Sequence, residues 1–98
     1  MMPRSFRLTK MEEMLLAFLF VQSRPTKPMM MDFLYAGQVN EPEMKILDVM
    51  VSKMRKKLSP FGIEISTYWG RGYYLDPEVK EQIKAHMAAQ AERMDLGA

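Results

Sequence analysis

Residues 43 to 75 constrain this chain more than any other part of it. They read EMKILDVMVSKMRKKL, break at SPFG, and continue as IEISTYWGRGYYL. In the first run Met44, Leu47, Val51, Met54 and Leu58 recur at steps of three and four, which lays one apolar stripe along an α-helix. Lys45, Val49, Ser52, Lys53 and Lys56 fall on roughly the opposite side, with Arg55 and Lys57 on the flanks. In the second run Ile63, Ile65 and Thr67 alternate with Glu64, Ser66 and Tyr68, the period of a strand. Gly70 and Gly72 then bracket Arg71 in a turn, and Tyr73 to Leu75 return as the partner strand. A helix anchored by one face and basic on the other, followed by a hairpin with arginine at its tip, points to double-stranded DNA as the partner.

The flanking segments supply the rest of a helical domain. SFRL, near the N-terminus, alternates like one brief strand. TKME at residues 9 to 12 is a capping box, in which Thr9 and Glu12 each satisfy the other's backbone N–H. The helix it starts runs to about Gln22, with Met11, Met14, Leu15, Phe18 and Leu19 facing inward. Thr26 caps a second helix with Pro28 in its first turn, Met30, Phe33 and Leu34 in the core, and Gly37 at its end. Glu41-Pro42 is expected to open the third helix, and Ser59-Pro60 closes it after Leu58. Asp76-Pro77 starts a fourth, with Val79, Ile83, Met87 and Met94 along one seam. Three helices, a β-hairpin wing and an extra C-terminal helix make a mainly α winged helix-turn-helix. The expected division is a DNA-binding domain over 1–75 and a C-terminal helix over 76–98.

Composition narrows the function classes. At 98 residues the chain has room for one domain. The net charge is only +2, but its distribution is uneven. Residues 1 to 75 hold 11 Lys/Arg against 7 Asp/Glu, and residues 76 to 98 hold 3 against 5. The basic excess thus sits with the third helix and the wing. Cysteine is absent, which excludes disulfides and thiolate metal sites. No apolar run approaches the ~20 residues of a membrane span, and a cytoplasmic, nucleoid-associated protein is expected. His86, the sole histidine, has no ligand partner at metal spacing. No phosphate loop, nucleophile triad or paired catalytic acid is present, so neither an enzyme nor a cofactor is expected.

LTKMEEMLL, LDVMVSKMRKKL and above all ISTYWGRGYYL resemble the OmpR/PhoB-type DNA-binding domain of bacterial response regulators, over about residues 6 to 75. The resemblance implies that the third helix, about 42–58, enters the major groove, and that the wing, 67–75, reaches a neighbouring minor groove. Its exposed helix positions correspond to Lys45, Val49, Ser52, Lys53 and Lys56, with Met50 and Arg55 beside them. Its wing tip corresponds to Trp69, Gly70 and Arg71, and its backbone-contacting threonine to Thr67. Phosphate contacts are expected from Lys53, Lys56, Lys57 and Arg71. Several family members carry arginine where this chain has Ser52 and Lys53, and lysine reads guanine less strictly than a bidentate arginine fork.

A receiver domain ahead of Met1 is not expected, and the eight residues before Thr9 are too few for the family's N-terminal four-stranded sheet. A stand-alone transcription regulator is therefore the expectation. The loop over residues 36–41 corresponds to a segment that touches RNA polymerase in family members. Several alternatives stay open at this level. Trp69 either packs beneath the wing or faces DNA. The C-terminal helix is expected to pair two copies as a homodimer, the alternative being that it folds back over the core. The leading reading is that the domain reads DNA; the alternative, a winged-helix module that docks on a regulator or polymerase, draws weight from Val49 and Met50 on or near the reading face. Asp48 is expected to partner a nearby cation or backbone N–H.

Overall fold

The computed structural model describes the backbone of residues 2 to 96 and the side chains of residues 2 to 92. Four helices and one hairpin follow in order: α1 (Lys10–Val21), α2 (Lys27–Tyr35), α3 (Lys45–Leu58), β1 (Ser66–Tyr68), β2 (Gly72–Tyr74) and α4 (Pro77–Leu96). This is a winged helix-turn-helix with an additional C-terminal helix.

Local chemistry sets the first two helices. The Thr9 hydroxyl accepts from the Glu12 N–H at 3.2 Å, and the Glu12 carboxylate accepts from the Thr9 N–H at 2.8 Å, which closes the capping box. Thr26 accepts from the Met29 N–H at the start of α2. Gly37, at φ 82°, ends that helix in the left-handed conformation.

Several expectations need correction. SFRL is not a strand: Arg4–Phe6 forms a 3-10 turn, Arg7 takes φ 54°, and Phe6 is buried in the core. Phe6 anchors the turn against Phe61 and His86, at 4.9 and 5.5 Å, so its burial and not strand pairing fixes this segment. Pro42 does not open α3. Bonds from Ile46 N–H to the Glu43 carbonyl and from Leu47 N–H to the Met44 carbonyl tighten residues 43 to 47 into an i+3 turn, and the regular helix begins at Lys45. Met44 is accordingly 41% exposed and leaves the stripe, while Leu47, Val51, Met54 and Leu58 are fully buried. Phe33 is 43% exposed and stacks on Phe18 at 4.5 Å, and Met31 takes the core position instead.

The β ladder is also shorter than its alternation implies. Ser66, Thr67 and Tyr68 pair with Tyr74, Tyr73 and Gly72. Ile63 and Ile65 are buried but unpaired, because the partner strand gives way to α4 at Pro77 and Arg55 takes the Ile65 carbonyl.

α4 lies on the same core as the other helices. Ile83 is fully buried, and Val79 and Met87 pack beside it. His86 meets Phe6 and Phe61 edge-on, each at 5.5 Å, and the Arg4 N–H donates to the Gln90 side chain. Of the seam over Val79, Ile83 and Met87, Ile83 is covered by the chain's own core and Val79 and Met87 are half-buried against it. Met94 lies outside the described side chains.

Candidate nucleic-acid interface

The candidate surface is built by α3 and the hairpin. Four buried side chains fix the roll of α3, so Lys45, Ser52, Lys53 and Lys56 are exposed on its outer side, with Val49 43% exposed among them. Met50 is half-buried. At the wing, Arg71 N–H closes the turn on the Tyr68 carbonyl at 2.9 Å, and Gly70 sits within it at φ 73°. Trp69 is 88% exposed, which decides against packing beneath the wing, and Arg71 is exposed beside it.

The wing is tied to the helices by specific bonds. A Cβ on Gly72 would collide with the Pro25 carbonyl, so glycine is required by the close approach of the α1–α2 connection. There Thr26 bridges Gly72, and the Lys27 N–H donates to the Arg71 carbonyl at 2.8 Å. On the α3 side, the Tyr73 hydroxyl donates to the Asp48 carboxylate, which also meets the Lys27 ammonium at 3.0 Å. The Tyr73 hydroxyl and then Lys27 hold Asp48 below its ordinary pKa of 3.8. Burial, reinforced by the Asp48 carboxylate, pushes the Tyr73 phenol up to about 12. Asp48 therefore has the cation partner expected of it. Lys27 and Tyr73 were not singled out in the sequence, whose one signal was the placement of Lys27 in the first turn of a capped helix.

Two of the expected site cations are committed inside the protein. Arg55 donates to the Ile65 carbonyl at 2.7 and 3.1 Å and to the Thr67 hydroxyl at 2.8 Å, with its guanidinium 5.5 Å from the Tyr73 ring centre. It joins α3 to β1, and Thr67 is its acceptor. Lys57 meets Glu12 at 2.5 Å. Burial works against the Glu12 carboxylate, but hydrogen bonds from Lys57 and Thr9 outweigh it and set its pKa below the ordinary 4.5. The structure thus leaves Lys45, Val49, Ser52, Lys53 and Lys56 exposed on α3 and Trp69 and Arg71 exposed on the wing, and gives Arg55, Lys57 and Thr67 contacts within the protein. No cluster of potential metal ligands occurs among the described residues, and none of their helices is long and apolar enough to cross a membrane.

Comparison with known proteins agrees with this geometry. The chain is 48% identical over 64 residues to the cell cycle transcriptional regulator CtrA of Caulobacter vibrioides, covering 61% of this chain and 26% of that protein. It is 47% identical over 62 residues to the cell cycle response regulator CtrA of Brucella ovis and of Brucella abortus, covering 57% of this chain and 26% of each relative. The matched segment spans about a quarter of the length of these curated relatives. Residues 4 to 75 match the family described as transcriptional regulatory protein, C terminal. Its anchored α3, its glycine-bracketed wing and this match place the chain in the OmpR/PhoB-type family of DNA-binding domains of transcriptional regulators.

Proposed function

We propose that this domain regulates transcription by binding double-stranded DNA in a sequence-specific way, with α3 in the major groove and the wing tip at the adjacent minor groove. The observation that carries the reading is the outer face of α3. Lys45, Lys53 and Lys56 stand exposed on a helix whose other face is locked into the core, and none of the three has a carboxylate partner among the described residues. Such a face meets the phosphates and base edges of a groove without repacking the protein. Val49 and Ser52 would then face bases, and Arg71 the narrower groove.

A gel shift on bulk genomic fragments at two salt concentrations tests this. Binding that weakens steeply as salt rises supports it, and no binding at low salt sinks it. A second reading, a winged-helix module docking on a protein such as RNA polymerase, draws on Val49 and on Val39, 96% exposed in the α2–α3 connection. The same experiment separates the two.

A further inference from the structure

The side of the wing away from α3 carries a feature that the reading face does not use. Side chains alternate along a strand. Thr67 and Tyr73 turn toward α3, so Tyr68 and Tyr74 share the opposite side, their ring centres 6.4 Å apart and edge to face. The antiparallel bridge between Thr26 and Gly72 lays residue 24 alongside Tyr74. The Arg24 guanidinium lies 4.5 Å from the Tyr74 ring centre and 5.4 Å from that of Tyr68. Arg71 reaches the same platform from the tip, 5.7 Å from the Tyr68 ring.

Among the described residues, neither arginine side chain has a carboxylate or a hydrogen-bond acceptor. Contact with a ring face attracts the cation but leaves its in-plane N–H groups unpaired. The result is two oriented guanidinium forks, both exposed and both with unspent donors. That fork matches the oxygens of a phosphodiester, which accept two parallel hydrogen bonds.

We propose that Arg24, seated on Tyr74 and Tyr68, is a second phosphate-binding arginine of the wing. Together with Arg71 it grips the backbone of one DNA strand beside the groove that the wing tip enters. This rests on the DNA-binding reading above, and its ligand is the DNA phosphodiester backbone. Arg24 adds affinity and orientation and carries no base preference. Arg24 therefore belongs to the binding surface as well as to the connection between α1 and α2.

The test uses a duplex recovered by selection from a random pool with the unmodified protein, binding measured over a range of salt, and ethylation interference to map phosphate contacts. Arg24→Ala is expected to lower the salt slope by about one. It should also erase one ethylation-sensitive phosphate near the one that Arg71→Ala erases, with the thermal melt little changed. Arg24→Lys should restore the slope, because the charge stays. An unchanged slope and ethylation pattern in Arg24→Ala would overturn the proposal and leave Arg24 as packing for the wing. A melting loss in Arg24→Ala that Arg24→Lys does not restore, with the slope intact in both, would do the same. Failure of the unmodified protein to select any duplex would overturn the DNA reading itself, an outcome distinct from the other two.

Discussion

Two sets of cations, close together in sequence, have opposite fates in this molecule. Lys53 and Lys56 stand exposed on the outer face of α3, and Arg71 stands exposed at the wing tip. Arg55 and Lys57, interleaved with the first set, turn inward, one to β1 and the other to the buried carboxylate of Glu12. The run RKKL reads as a single basic cluster, yet of its three cations only Lys56 is exposed without a partner inside the protein among the described residues. A helix turns by about 100° per residue, so three consecutive side chains meet three different surroundings. Charge density in a sequence therefore overstates the charge of an interface wherever the helix carrying it is packed on two sides.

The contrast is sharpest if the inner side of α3 governs stability and the outer side governs binding. Leu47→Ala should give the largest effect, a loss of about 2–5 kcal/mol in chemical denaturation, since it empties a fully buried position. Lys57→Ala comes next, at about 1–3 kcal/mol, because it strips a buried carboxylate of its cation. The lysine is itself one third exposed, which keeps the figure below that of a fully buried pair. The Glu12 pKa is depressed on folding, so the pair's contribution is complete above the unfolded value near 4.5 and is lost as pH falls through the lower folded value. The stability gap between the unmodified protein and Lys57→Ala should therefore be full at neutral pH and close in acid. A gap that stayed constant down to pH 3 would remove Glu12 from the explanation.

Arg55→Ala should cost about 1–2 kcal/mol, through loss of charge-assisted bonds to the Ile65 carbonyl and the Thr67 hydroxyl. Amide exchange should rise in β1 before it rises in α1. If Arg55→Ala instead left the melt unchanged and cut DNA affinity, the division between the two sets would be wrong. Lys53→Ala and Lys56→Ala sit at the other pole. Each should move stability by less than about 0.5 kcal/mol and lower the salt slope of DNA binding by about one. The smallest effect belongs to Arg71→Ala. Its loss of affinity should be greater on sites flanked by A·T pairs, where a narrow minor groove concentrates negative potential, than on G·C flanks. Equal losses on both would make Arg71 a phosphate contact alone. Trp69, the only tryptophan and 88% exposed, gives a fluorescence signal at the wing tip for these titrations.

Much of this was legible in the residues. The capping box at Thr9 and Glu12, the stop at Gly37, the end of α3 at Leu58 and the turn around Gly70 all follow from interactions within four residues. Leu47, Val51, Met54 and Leu58 declared the buried side of α3 by spacing alone. The start of α3 was misplaced because Pro42 is permitted at a first helical position without being required there, and an i+3 turn filled residues 43 to 47 instead. Phe33 and Met31 exchanged roles for a similar reason. Both are apolar on one short helix, and which of them is covered depends on what packs against it.

What the sequence determined by itself was the set of elements, the apolar stripe of α3 and the presence of a glycine-bracketed arginine turn, because propensity, capping and periodicity are local properties. Only the tertiary structure decided which cations remain exposed. Lys57 found Glu12 across 45 positions and Arg55 found Thr67 of β1 across 12, and nothing in either residue's neighbourhood announces such a partner. The destination of α4 was decided in the same way. Its seam at Val79, Ile83 and Met87 fits a second copy and its own core equally well on paper, since an apolar stripe specifies that a helix will be covered but not by what. The core covered Ile83 fully and Val79 and Met87 in part, within the same chain, where no entropy of association opposes the contact.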